Sequence, residues 1–528
     1  MKNTLARLLS YKTFYKLFAF EYLIPIMMLS FVAWYISYSN GLITIYNDAM
    51  SHLNISRLVI DNREPGLAQL GGVWLPMTHV MPLLLIWNDW AWQSGFAASF
   101  FSMVAYVLSV WAIYKSIFLI TKKQAASIIG GLAFAFNLNM LYLQTTPMTE
   151  PMYIGIFCLS ALVFTYYLTK TDNTKYLLLL GVLGFFQVLT RYDGWFVIGI
   201  IAMLIAAYEF FVAKRKFSEV FGKVFLFGTP VAFGIALWLL WNLLIFKDPL
   251  FFAFGPYSAH AQQAIYEARG ALFTKGDVLS STVTYTYAAL HNIGIYIAAV
   301  ALAGLAYFFI TRKLAIAWSV KAIFLLFLAS PIIFNILALY LGFSIIFTPP
   351  VTFNQSLPEG PWFNIRYGLL ALPLVAVLVG LFASWRKLAW VIVIEVMILQ
   401  AFMMYSSGIV TIIDGNKGIS SFEAADISQG IKDRVKPDDS VLMSIYSFNP
   451  VIHRSGIQLD QIVHEGVSKQ YPDALSHPER HVEWIVMANT PGDQVYKVLM
   501  IDKNKDFLKN FELVYTGNDA SIYKNKHY

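Results

Sequence analysis

Long apolar runs separated by short polar turns fill the first 410 positions of the chain. A helix needs about 20 predominantly apolar residues to cross a hydrocarbon core of about 30 Å. On that basis about eleven spans are expected, near 17–38, 94–120, 124–144, 151–169, 175–190, 194–213, 222–245, 288–310, 319–346, 367–384 and 388–408. The first is long and has no small-residue cleavage site after it, so it is expected to remain as an anchor. A shorter apolar piece, 74–87, contains Pro76 and Pro82 and reads as re-entrant or interfacial. Beyond position 420 the pattern changes. Strand-like runs occur at 440–445, 484–487, 513–515 and 520–523, the last two flanking Gly517-Asn518-Asp519, and helical patterns at 424–435 and 502–510. The fold class expected is mainly α: a polytopic membrane helical bundle over 1–415 with external loops, followed by a small α/β domain over 420–528.

Composition agrees with this pattern. The chain is 58% hydrophobic and 13% charged, where soluble domains carry roughly 25% charged residues. Its net charge of +7 does not point to nucleic acid, because the basic residues are spread over short loops. They orient the bundle instead. With the N-terminus in the cytoplasm, Lys2, Arg7, Lys12, Lys16, Lys122, Lys123, Lys170, Lys175, Lys214, Arg215, Lys216, Lys223, Arg312, Lys313, Lys321, Arg386 and Lys387 lie inside. Only Arg57, Arg63, Arg191, Lys247, Arg269, Lys275 and Arg366 lie outside. Seventeen against seven sets the expected orientation, since basic residues resist translocation. The C-terminal domain then stands outside the cell membrane. Cys158 is the only cysteine, which excludes an intramolecular disulfide and a multi-cysteine metal site. There is no Gly-rich phosphate loop and no fixed-period repeat, so a nucleotide-driven ATPase is not expected.

That topology gathers the chemistry-bearing side chains in external loops. Asp48 stands in Tyr46-Asn47-Asp48-Ala49-Met50-Ser51-His52, just past the first span. A carboxylate there can take a proton from an acceptor hydroxyl or amine, or it can simply begin an interfacial helix. His52, four residues on, shares its face if the segment is helical, and could orient Asp48 or meet a phosphate. Glu150 precedes Pro151; it is either a second acid beside an external cavity or an acid favoured by a helix N-terminus. If a metal is present, Asp48 and Glu150 are its expected ligands, and hard oxygen donors suit Mg²⁺ or Mn²⁺. Arg366, at the mouth of a span, suits bidentate phosphate binding. Arg191 does too, unless Asp193 holds it in an internal ion pair. His79 and His260 are candidate substrate ligands, with packed or surface histidines as the alternative.

Several of these segments together resemble the GT-C superfamily of integral membrane glycosyltransferases. They are the acid in the first external loop, Gly71-Gly72-Val73-Trp74-Leu75-Pro76-Met77-Thr78-His79, Pro147-Met148-Thr149-Glu150-Pro151, Thr190-Arg191-Tyr192-Asp193-Gly194 and Arg366-Tyr367-Gly368. The likeness is nearest to the protein mannosyltransferase and aminoarabinose-transferase-like branch and covers the spans to about 410; the tail resembles the outer caps of some members. The resemblance implies transfer of a sugar from a polyprenyl-phosphate donor to a protein, lipid or glycan acceptor on the outer face, with inversion. It implies Asp48 as base and Glu150 as the assisting acid. Single acids stand where some members carry pairs. The alternative class is a transporter or flippase of lipid-linked sugars, which would place its charges near the midplane of repeated halves.

Overall fold

The structure, a computed structural model, describes residues 20–169, 173–255, 258–268, 270–348, 362–417, 425–467, 469–503 and 505–528. Of the basic residues used above, Lys2, Arg7, Lys12, Lys16, Lys170 and Arg269 lie outside the described residues, as does most of the 347–366 loop. The chain divides into two compact units. One comprises Met1–Ile43, Gly72–Thr78 and Ser99–Ser420; the other comprises Thr44–Gly71, His79–Ala98 and Ser421–Tyr528.

The first unit is a helical bundle. Among the described residues, eight helices are long and apolar enough to cross a membrane: Tyr22–Ser39, Phe96–Thr121, Thr149–Thr169, Asp193–Val212, Phe217–Phe246, Trp318–Leu341, Ile365–Ala383 and Lys387–Lys417. They correspond to eight of the eleven expected spans. The expected span 288–310 belongs to a broken pair, Val278–Ile293 and Ile295–Ile310, bent by 105°. Counted as one span, the pair brings the number to nine. Gly294 makes the break at φ +90°, a conformation that costs glycine little, and the Gln400 side chain accepts from the Tyr296 amide beside it. The expected spans 124–144 and 175–190 contain the shorter helices Gln124–Ala135 and Lys175–Val188. Hydropathy located these apolar segments but could not show where a helix stops inside one.

Several buried polar groups in the bundle find partners within it, as an apolar medium favours. Ser99 and Ser102 donate to the Thr145 and Thr146 carbonyls at 2.7 and 3.0 Å. Lys321 donates to the Phe308 and Thr311 carbonyls at 2.6 and 2.5 Å, capping the end of the Ile295–Ile310 helix, where a cation complements the helix dipole. Glu209, in a π-helical turn, binds Lys223 at 2.8 Å and accepts from the Tyr167 hydroxyl.

The second unit is built on a five-stranded sheet in the order β2-β1-β3-β5-β4. Its strands are β1 Val441–Leu442, β2 Ile462–Val463, β3 Trp484–Ala488, β4 Phe511–Thr516 and β5 Ala520–Asn525. β1 pairs parallel with β2 and β3, and β5 pairs antiparallel with β3 and β4. The β4–β5 hairpin and β3 fall on the expected strand runs, and the expected helix at 424–435 is Ala425–Lys432. The segment 502–510 is instead a π-helical turn over Lys497–Asp502 and a 3-10 turn over Asp506–Lys509. The loop segments contribute to this core: Leu53, Leu58, Ile86 and Trp92 pack with Ile427, Val451, Ile452, Val486 and Ile522. Asn54 donates to Asn449 Oδ1 at 3.0 Å and accepts from the Trp92 indole at 3.2 Å.

Candidate active site

In the bundle, four segments bring five charged side chains together. Glu150 lies in the first turn of the Thr149–Thr169 helix, followed by Pro151. A carboxylate there faces unpaired helix N–H groups, and proline fits because the first turn needs no donor from it. Asp193 opens the Asp193–Ala207 helix in the same way. Arg191 stands in the turn just before. Arg366 lies in a 3-10 turn, Ile365–Ala371, that leads into the Leu372–Ala383 helix. Asn364 enters that turn at φ +55°, a left-handed conformation that asparagine tolerates better than most side chains. Asp414 comes from the Val410–Lys417 helix.

These charges alternate in sign along a chain of contacts. Asp193 binds Arg191 at 3.2 Å. Arg191 Nη1 donates to Glu150 Oε1 at 2.9 Å and to the Thr149 hydroxyl at 2.8 Å. The same Oε1 accepts from Arg366 Nε at 3.1 Å. Arg366 Nη1 lies 3.5 Å from Asp414 Oδ2. Both guanidinium groups also lie over the Tyr367 ring, at 5.0 and 5.3 Å from its centroid. Gly368 follows because the 3-10 turn presses on the Val278–Ile293 helix: a Cβ there would sit 2.2 Å from the Ala288 carbonyl oxygen.

Burial is deep but uneven. The Arg366 and Glu150 side chains are 3% and 1% exposed, and Arg191 is 13% exposed. Burial disfavours the charged form of Arg191, yet Asp193 and then Glu150 hold its pKa above the ordinary arginine value. Arg191 is therefore a permanent cation. Glu150 spends Oε1 on two guanidinium groups, while its Oε2, also buried, has no hydrogen-bond partner among the described residues. One carboxylate oxygen is thus fixed and the other can accept a further donor.

In the second unit, Asp48 occupies the first turn of the Asn47–Leu58 helix and is partly exposed. His52 lies one turn on, on the same side, and is buried. Its Nδ1 lies 2.8 Å from Nε2 of His79. Burial, and then the proximity of His52, lower the His79 pKa well below the ordinary histidine value, so His79 is neutral at pH 7. One ring donates a hydrogen bond to the other, which couples the tautomers of the two. His260 is exposed on the Ala259–Ala268 helix, edge-on to Phe254.

The structure thus joins Glu150, Arg191 and Arg366 in one cluster and pairs His52 with His79. Asp414 was not singled out from sequence. Its signal was available, an acid in Ile412-Ile413-Asp414-Gly415 at the end of an apolar segment, where acids are costly and usually paired or functional. Among the described residues, no three His, Cys, Asp or Glu side chains are placed to hold a metal ion. The Glu150 surroundings do not suit Mg²⁺ or Mn²⁺ either, because two guanidinium groups already share Oε1 and would repel a dication.

No protein-family model matches the sequence, and no curated protein matches it. Solved structures do match the fold. ArnT from Cupriavidus metallidurans bound to undecaprenyl phosphate aligns with a TM-score of 0.54 at 11% identity, over 95% of this chain and 97% of that one. The apo oligosaccharyltransferase of Archaeoglobus fulgidus aligns with a TM-score of 0.50 at 11% identity, over 98% of this chain and 75% of that one. The chain shares the fold of these two proteins, in keeping with the fold that the sequence resemblance implies.

Proposed function

We propose that the protein transfers a sugar from a polyprenyl-phosphate donor to an acceptor at the outer membrane surface, by a single inverting displacement. The observation that carries this reading is the Glu150–Arg191–Arg366 cluster at helix ends of a GT-C fold. Asp48 takes the proton of the acceptor hydroxyl. The acceptor oxygen then forms its bond to the anomeric carbon as the bond from that carbon to the phosphate oxygen breaks. The lipid phosphate leaves with the electron pair. Arg191, the more exposed of the two arginines, supplies counter-charge to the phosphate, whose charge grows as the bond breaks. Arg366 clamps Glu150, and Oε2 of Glu150 accepts from a substrate hydroxyl. The His52–His79 pair braces the helix that carries Asp48. The donor chain lies in the bilayer, and the C-terminal domain lies on the outer side of the cell membrane.

A second reading, movement of lipid-linked sugars, is favoured by one observation: the Val278–Ile293 and Ile295–Ile310 pair is broken by 105°, and broken helices are common in transporters. One experiment separates the two. Wild-type and Asp48→Asn proteins in nanodiscs receive a panel of polyprenyl-phosphate sugars and an acceptor extract, and release of free polyprenyl phosphate is followed. The transferase reading expects release by wild type and a loss of about 10²–10⁴-fold in Asp48→Asn. No release by wild type, together with sugar-lipid movement across reconstituted vesicles, would replace it with transport.

A further inference from the structure

An apolar cavity of about 210 Å³ lies between the Phe20–Ser39, Phe96–Thr121 and Gln124–Ala135 helices, with Tyr22, Pro25, Trp111, Tyr114 and Gly131 among its walls. Two of the wall residues bear on the space. Pro25 stands inside its helix, where proline removes a backbone hydrogen bond and bends the axis. Gly131 contributes no side chain, although a Cβ there would meet its nearest neighbour, Val110, at an ordinary 3.5 Å. Two of its wall residues, Tyr22 and Tyr114, have polar neighbours. Tyr22 stacks on Tyr114 at 5.8 Å and its hydroxyl is bonded by Gln124. Lys115 Nζ lies 5.6 Å from the Tyr114 ring centroid. An apolar hollow with a cation at its rim suits an amphiphile that has one negative head.

Its depth indicates which amphiphile. Ser102, on the same helix, binds the Thr146 carbonyl close in sequence to Glu150. Tyr114 is twelve residues further on, about 18 Å along the axis at 1.5 Å per residue. The cavity therefore lies toward the opposite helix ends from the charged cluster, on the side of Lys122 and Lys123. We propose that it binds an acyl chain of an anionic phospholipid from the leaflet at that end, with Lys115 countering the headgroup charge. The assignment is independent of the transfer reaction; it requires only that the bundle spans a membrane.

The test is native mass spectrometry on the full-length, delipidated protein, with phosphatidylglycerol, phosphatidylcholine and undecaprenyl phosphate as separate probes. Wild type is expected to retain phosphatidylglycerol about fivefold better than phosphatidylcholine, the preference one lysine confers near an anionic headgroup. Lys115→Gln should abolish that preference. Gly131→Leu, which fills the cavity, should reduce retention of both phospholipids. Gly131→Ala should reduce it less, and serves as the test if the leucine variant does not fold. A preference that survives Lys115→Gln, or retention unchanged in both Gly131 variants, would overturn the proposal. Undecaprenyl phosphate that displaces phosphatidylglycerol from wild type, and is itself lost in the Gly131 variants, would also overturn it by giving the cavity to the donor chain.

Discussion

The two units differ in how they hold their most buried titratable groups. The bundle pairs charge with charge: Asp193, Arg191, Glu150, Arg366 and Asp414 form a row in which every ion touches one of opposite sign. The sheet-bearing unit has one such pairing, Arg57 with Asp61 and Asp89, but it keeps buried histidines neutral and satisfies Glu465 with dipoles. Burial holds His453 at a pKa of about 4 and His464 at about 3. Glu465 accepts from the Ile445 and Tyr446 amides and the Ser444 hydroxyl, with its pKa pushed up by burial. The difference fits the site proposed above. A paired row of ions is costly to assemble in an apolar medium and is weak evidence for stability alone; placed at helix ends, it can instead serve a charged substrate. The apolar-rich core around the sheet serves to hold the sheet.

The comparison breaks most readily at Glu150. Glu150→Ala leaves Arg191 and Arg366 buried with one carboxylate fewer, so a loss of about 3–5 kcal/mol is expected. Denaturation in detergent measures it, and a loss under about 1 kcal/mol would mean that the row is not a coupled network.

A second test uses acid on the sheet-bearing unit. His453 has a folded pKa of about 4 against an ordinary 6.5. Between those values the unfolded chain binds a proton that the folded chain refuses, so stability falls as pH drops through that window. From pH 7 to 5 the loss is on the order of 2 kcal/mol for this histidine. His464 and His79 add loss of the same sign. Glu465, whose folded pKa is raised, offsets part of it, because the folded form then takes up a proton first. Hydrogen-exchange protection factors in β3 and β5 of the intact protein, corrected for the intrinsic pH dependence, should fall over this range, and His453→Phe should flatten the fall. Protection factors that do not change with pH would remove the neutral-histidine half of the comparison.

Smaller effects sharpen the contrast. Asn54→Ala leaves Asn449 and the Trp92 indole without their partner, at an expected cost of about 1–3 kcal/mol, seen as faster exchange in the sheet-bearing unit. The exposed Lys275–Glu267 pair, at 2.5 Å, should yield less than about 0.5 kcal/mol on Lys275→Ala. A larger loss there would show that surface pairs, and not only the buried row, carry stability in the bundle.

How much of this was legible in sequence varied with the range of the interaction. The Thr149-Glu150-Pro151 junction, the Arg191-Tyr192-Asp193 turn and Arg366-Tyr367-Gly368 all stood out as motifs, each at the end of an apolar run. The Arg191–Asp193 pair could be read as well, because its partners are two residues apart. The contacts of Glu150 with Arg191 and Arg366 could not, since 41 and 216 residues separate them. β2 escaped notice because two residues, Ile462–Val463, show no periodicity. The Ile445–Ser455 helix was hidden by Pro450 and by a kink at Phe448.

Sequence alone determined the membrane character, the apolar segments that become helices, the mixed sheet's hairpin and the positions where charge would be costly. These follow from hydropathy and local periodicity, which act over a few turns of chain. Tertiary structure decided the rest: that Gly294 breaks one apolar segment at 105°, that the loop helix carrying Asp48 belongs to the same compact unit as the tail, and that Asp414 completes the row. Those outcomes depend on which distant side chains meet in a medium without water, where a buried charge needs an opposite charge or backbone dipoles.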